Sequence, residues 1–575
     1  MAQNRLLAIL LAVVATLVLG VGGLSAVLLL SGDSEDDGAG SGTGLPSGVT
    51  TGSSTAVDAV DPFSRLRLAS RDPVTMDPHL AGDALSAEYI VEIFSGLLTI
   101  TPPDFTVSLD LAESFDVSDD NLTYTFTLRS DALFHDGRRV TAEDVKWSLE
   151  RATSPIPLGA TQPSSTALAY LGDIAGVREH FFDLADDVEG IEVVDVRTVR
   201  FTLTEPLPPG LFLAKLTYPT AFVVDRQQIE RNPRNWTRKP NGTGPYRLQE
   251  WRLGERIVLE ANDRYHLNPK PRVGQVLYEL SGGSTLTRFE NDELDVAGIG
   301  LADIERARDP TSDLNALYEA FPQFTISYIA FNTRVPPFDD PNVRKALALA
   351  IDRDKVADVT FSGMLLPATG ILPPQLPGYT SANKTFVFDA DAARAALAAS
   401  RYLVKDDRLV DGDGRTVNVV LTEVGGGAEA RTDTQAFLEQ WRNELGIAVE
   451  IRQTDFATFL ADQDAGRLQM FNAGWIMDYP DAEDILDLKF HSNSSLNDVG
   501  YSNEDVDALL DEARVESDPS RRIALYQDAE RLIIDDVAWI PLYFSVSHVV
   551  ISADVDGWFE PPMVVPRLRF IQVNR

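Results

Sequence analysis

The chain has 575 residues, 44% of them hydrophobic and 24% charged, a globular composition with room for several domains or two large lobes. Its net charge of -37 excludes binding to phosphate backbones as a main role, because that work needs basic stripes. It has no cysteine, which excludes disulfides, thiolate zinc sites and cysteine nucleophiles.

Residues 6–30 form an apolar run that follows Arg5 and precedes Asp33, Glu35, Asp36 and Asp37. The run is long enough to span a bilayer and longer than the apolar region of a cleavable secretory signal, and it ends without a small-x-small site. We therefore expect an uncleaved membrane anchor over residues 1–30 (signal or transmembrane segment), with the acidic remainder outside. In the next 30 residues, 13 are Gly or Ser, so a flexible linker is expected over 31–62.

Beyond the linker, strand and helix patterns alternate. LTYTFTLR (122–129) has the period of a strand, HDG (135–137) is a turn, and residues 141–151 form a helix with Thr141 and Asp144 at capping-box spacing. NGTGPY (241–246) reads as a turn, since Pro245 removes an amide that a phosphate loop would need. FTISYIAFN (324–332) is a strand, followed by a helix over 340–352 with Asp340 as its cap, Pro341 in its first turn and Val343, Ala346, Leu347, Ala350 and Ile351 on one face.

DGDGRT (411–416) fits a hairpin turn better than a calcium loop, because the later ligands are missing. A helix over 432–446 places Phe437, Trp441 and Leu445 on one side and ends at Gly446, with a strand expected at 447–451. A last helix, 518–534, leads into a strand at 538–544. The alternation is that of an α/β protein.

Catalytic patterns are not found. The six histidines are scattered, and no GxSxG elbow, GxxxxGK[ST] loop or HExxH pair occurs. No metal site, no cofactor and no enzymatic activity are expected.

Five blocks carry a resemblance: MDPHLAGDALSAEYIVEIFSGLLTI (76–100), the stretch from LAESFDV to WSLER (111–151), NGTGPYRLQEW (241–251), FNTRVPPFDDPNVRKALALAIDRDKV (331–356) and GWIMDYPDAEDIL (474–486). In order and separation they resemble the extracellular solute-binding proteins of ABC importers, family 5, whose members take up oligopeptides, dipeptides, nickel or other solutes. The resemblance implies a two-lobed α/β body like periplasmic binding proteins (type II, the large peptide-binding class). Lobe I would span 63–320 with an inserted subdomain at about 105–205, lobe II 321–544, and 545–575 would return to lobe I across a second hinge crossing.

The same resemblance gives site roles. Asp478 would hold the α-ammonium of a peptide, while Trp475 and Tyr479 would form an aromatic wall. Asn472 stands where some oligopeptide binders place an arginine for the far carboxylate. Asp481, Glu483 and Asp484 read as caps or solvent-facing groups. The implied partners are a short peptide, an ABC permease with its ATPase, and the membrane through the N-terminal helix, with no nucleic acid. The protein would act as a monomer on the outer face of the cytoplasmic membrane. The alternatives are a non-peptide solute (oligosaccharide, opine-like compound or metal chelate) in the same fold and, more remotely, a secreted hydrolase.

Overall fold

The computed structural model describes residues 61–575 apart from 165, 426–429 and 495. The expected anchor (1–30) and the linker up to residue 60 lie outside the described residues. Among the described residues, no helix is long and apolar enough to cross a membrane.

The N-terminal strand Asp61–Ala69 pairs in parallel with Val273–Glu279, and Arg256–Ala261 and Tyr246–Arg252 complete an otherwise antiparallel sheet. Tyr89, Phe94 and Trp236 pack on it, together with Leu568, Ile571 and Val573 from the far end of the chain. A second four-stranded sheet, from Ala112–Val117, Thr123–Leu128, Thr198–Thr202 and Ile191–Asp195, is wholly antiparallel. The helix Ala142–Ala152 buries Val145 and Leu149 in the same core.

A six-stranded mixed sheet runs in the order Leu366–Pro367, Trp539–Phe544, Thr325–Phe331, Met470–Ile476, Val420–Val424, Glu450–Thr454. Two separate cores form on it. One takes Val343 and Leu347 from Pro341–Leu349 and Phe437 and Trp441 from Thr432–Leu445. The other takes Ile485 and Phe490 from Glu483–Phe490, Leu510 from Glu504–Val515 and Tyr526 from Pro519–Asp536.

Two strands of this sheet continue into a neighbouring sheet. Tyr318–Pro322 precedes Thr325–Phe331, and Val546–Ile551 follows Trp539–Phe544; the two outer segments pair with each other. At the crossing Gln323 N donates to Ser545 O (2.9 Å) and Ser545 N to Thr325 Oγ1 (3.0 Å), so the chains pass side by side.

Local signals set these elements where the sequence places them. Thr141 and Asp144 form the reciprocal capping box, Asp340 accepts from Asn342 N (2.9 Å), and Asp518 accepts from Arg521 N (2.8 Å). Gly446 closes Thr432–Leu445 at φ +66°, where a side chain would be strained. The strand after it begins at Glu450, later than the sequence pattern indicates. Ile447 N is still directed at Trp441 O (3.4 Å), and Ala448 N is taken by Asp407 O (2.8 Å), so both amides are committed before the ladder starts.

Residues 241–245 are the expected turn: a Cβ on Gly242 would stand 2.0 Å from Ile93 O, a close approach that only glycine allows. DGDGRT joins Arg408–Val410 to Thr416–Val417 as a hairpin. Asp411 Oδ1 accepts from the amides of Asp413 and Arg415 (both 2.9 Å), which uses that oxygen to hold the turn.

Candidate ligand-binding site

Met470–Ile476 is a central strand, paired antiparallel with Thr325–Phe331 so that Trp475 lies opposite Ile326 and Asn472 opposite Ile329. The chain leaves the sheet at Met477, whose amide donates to Phe324 O (2.9 Å), and Pro480 keeps the following residues from continuing the ladder. Residues 477–482 therefore form a connection that ends at the helix Glu483–Phe490.

A cavity of about 40 Å³ lies at this connection. Trp475, Met477 and Asp478 line it on one side, and Ala87, Thr99, Tyr218 and Val565 are among the residues opposite. Most of its walls are apolar. Of the sequence-predicted site residues, the structure brings Trp475 and Asp478 together here. Tyr479 and Asn472 do not line the cavity. Tyr479 is buried in the core of the second four-stranded sheet, donating its hydroxyl to Glu483, and Asn472 turns to Thr434 Oγ1 (3.3 Å).

Asp478 is half-buried. One of its oxygens accepts from the Tyr170 hydroxyl, and its amide donates to Asp484 Oδ2 (3.0 Å). Tyr170 is stacked on Tyr218, with ring centres 4.1 Å apart and planes 8° from parallel, and meets the Tyr479 ring edge-on at 6.0 Å. Burial pushes the Asp478 carboxyl up to about 6, and the Tyr170 hydrogen bond offsets this only in part. No lysine, arginine or histidine among the described residues contributes to holding that carboxylate ionised.

The acidic residues after Asp478 differ from their expected role as caps or solvent-facing groups. Glu483 and Asp484 are both buried, and only Asp481 matches part of the expectation, accepting from Glu483 N (2.9 Å) while pairing with Arg522 (2.6 Å). Glu483 pairs with buried Lys215 (3.1 Å), which also meets Asp173 (3.0 Å), and Arg514 reaches Asp173 (2.6 Å). Burial alone would lower the Lys215 pKa, but the two carboxylates raise it overall, so this lysine stays charged. Asp484 accepts from Trp475 Nε1 (3.1 Å), and Lys489 Nζ stands 4.8 Å over the Trp475 ring.

Sequence reasoning missed Tyr170, Tyr218, Lys215 and Asp173. They come from 167–218, a stretch with no motif, and only the fold brings them to Asp478 and Glu483.

Residues 106–497 match the family model described as bacterial extracellular solute-binding proteins, family 5 Middle. The chain belongs to that family. Its relatives include the periplasmic oligopeptide-binding protein OppA of Escherichia coli (strain K12), 28% identical over 489 residues covering 84% of this chain and 87% of that protein. The glutathione-binding protein GsiB of Salmonella typhi is 28% identical over 501 residues, covering 85% and 90%. Among solved structures, the murein tripeptide binding protein MppA of Escherichia coli superimposes with a TM-score of 0.74 at 24% identity, over 90% of this chain and all of that one, which shows a shared α/β fold.

Proposed function

We propose that this chain is the extracytoplasmic receptor of an ABC importer that captures short peptides and delivers them to a membrane permease. The observation that carries the reading is Asp478: a half-buried carboxylate at an apolar cavity, beside Trp475, whose one side-chain hydrogen-bond partner among the described residues is the neutral Tyr170 hydroxyl. A group of this kind is satisfied by a cationic ligand, and a peptide's α-ammonium offers charge-assisted hydrogen bonds where a neutral partner does not. Relatives named for oligopeptides and for glutathione, itself a peptide, support the same class of ligand.

The body divides into lobe I (63–320, with a subdomain inserted at about 105–205, plus 545–575) and lobe II (321–544), and the paired passages at 322–325 and 544–546 serve as the hinge. A cavity of about 40 Å³ holds only a few waters. A peptide therefore enters only when the lobes part, and its binding favours reclosure. Residues 6–30 tether the receptor to the outer face of the cytoplasmic membrane, where it works as a monomer alongside its permease and ATPase.

Paired variants test the ligand class. For a peptide receptor, Asp478→Asn abolishes discrimination between free and N-blocked peptides, while Trp475→Ala weakens both alike. A receptor for stacked sugars would show the reverse, with Asp478→Asn silent and Trp475→Ala decisive. Sustained turnover of any supplied peptide by the purified protein would contradict the receptor reading.

A further inference from the structure

Asp484 is fully buried, with 0% of its surface exposed, in the first turn of Glu483–Phe490. Its Oδ2 accepts from both Trp475 Nε1 (3.1 Å) and Asp478 N (3.0 Å), so one oxygen ties together the two cavity residues that flank the exit from the sheet. Its Oδ1 is buried without a hydrogen-bond partner among the described residues. No cation among the described residues is committed to it: Lys489, above the Trp475 ring, is paired with Asp498 (2.9 Å), and Lys215 is held by Asp173 and Glu483.

The groups that face Asp484 are Asp478, Glu483, Tyr170, Tyr218 and Tyr479, all anionic or neutral. Two neighbouring carboxylates in such surroundings do not both ionise. The one that is fully buried with an unpartnered oxygen keeps the proton, because an unpaired buried anion costs more than an unpaired buried hydroxyl, whereas Asp478 is only half-buried.

We propose that Asp484 is a positioning residue for ligand binding: a neutral acid whose single acceptor oxygen fixes Trp475 and the backbone of Asp478, leaving Asp478 as the member of the pair that ionises. Burial and then the charge of Asp478 push the Asp484 carboxyl well above the ordinary range, in line with this geometry. The inference rests on the reading of Asp478 as an ammonium anchor.

The test titrates the full chain, wild type and variants, with tri-alanine and N-acetyl-tri-alanine between pH 5 and 8, following tryptophan emission. Asp484→Asn keeps a neutral acceptor, so binding within about threefold of wild type and an unchanged pH midpoint are expected. Asp484→Ala removes the acceptor and loses about tenfold or more, with a red-shifted emission that disappears in a Trp475→Phe background.

Wild-type affinity in Asp484→Ala would overturn the inference. So would an Asp484→Asn midpoint lower by a pH unit or more, since that would mean a negative charge had been removed. If Asp484→Ala does not fold, the Asp484→Asn midpoint decides alone. Wild-type protein that binds both peptides equally would overturn the ammonium reading and this inference with it. Discrimination by wild type that Asp484→Ala fully retains would overturn the positioning role only.

Discussion

Asp478 and Glu483 stand in one short segment and face the same body of the protein, yet they are satisfied in different ways. Glu483 meets a buried lysine that also serves Asp173, with Arg514 closing the network from another helix. Asp478 meets a tyrosine hydroxyl. The first arrangement is complete in itself: removing any member strands a charge. The second leaves a carboxylate half-buried and uncompensated, which is costly unless something cationic arrives. On the proposed reading, the difference separates a structural clasp from a receptive site, although composition alone would class both as acidic residues in an acidic protein.

The comparison can be broken most severely at the clasp. Lys215→Met leaves Asp173 and Glu483 buried beside each other and is expected to cost about 3–5 kcal/mol of stability, read as a lowered midpoint in urea unfolding. A cost near zero would mean that the network is not closed. At the receptive site, Asp478→Asn should leave the urea midpoint at neutral pH at or above wild type, because it removes an uncompensated charge, but weaken binding of free peptides by about 2 kcal/mol or more, roughly 30-fold, by calorimetry.

The third effect is pH dependence. With its pKa raised to about 6, Asp478 loses its charge as pH falls through that value, so peptide affinity should drop by about tenfold per pH unit below it. The sign for the ligand-free protein is the opposite. Because the folded pKa lies above the unfolded one, stability is lost as pH rises from the ordinary aspartate value toward 6, and the peptide's ammonium offsets that loss. The thermal shift given by peptide should therefore grow from pH 5 to pH 7. The smallest effect belongs to Tyr170→Phe, which removes one hydrogen bond worth about 1 kcal/mol. It should change affinity at pH 7.5 by less than about tenfold while moving the binding midpoint upward, because the hydroxyl holds the Asp478 pKa down.

What was legible in the sequence was local. Thr141 and Asp144, Asp340 with Pro341, and Gly446 each act within a few residues, so their chemistry can be read from spacing. That Trp475 and Asp478 stand together was legible for another reason, since the motif around them resembles that of family 5 solute-binding proteins; the structure brings both to one cavity. Asp484 and Glu483 were misread as caps or solvent-facing groups because nothing nearby in the sequence signals burial. Glu483 is held there by Lys215 and by Tyr479, which packs in the core of the second four-stranded sheet. Tyr170 and Tyr218 could not be found at all: aromatic residues in short helices and turns are mostly core, and these two are core that also reaches a site.

The most direct test of the account is calorimetry at pH 7.5 on wild-type protein, freed of any bound ligand by partial unfolding and refolding, with a pool of di- to pentapeptides and the same pool N-acetylated. The account predicts heat from the free peptides that is lost on acetylation. Equal binding of the two pools would contradict it, because the carboxylate of Asp478 would then have no ammonium to hold.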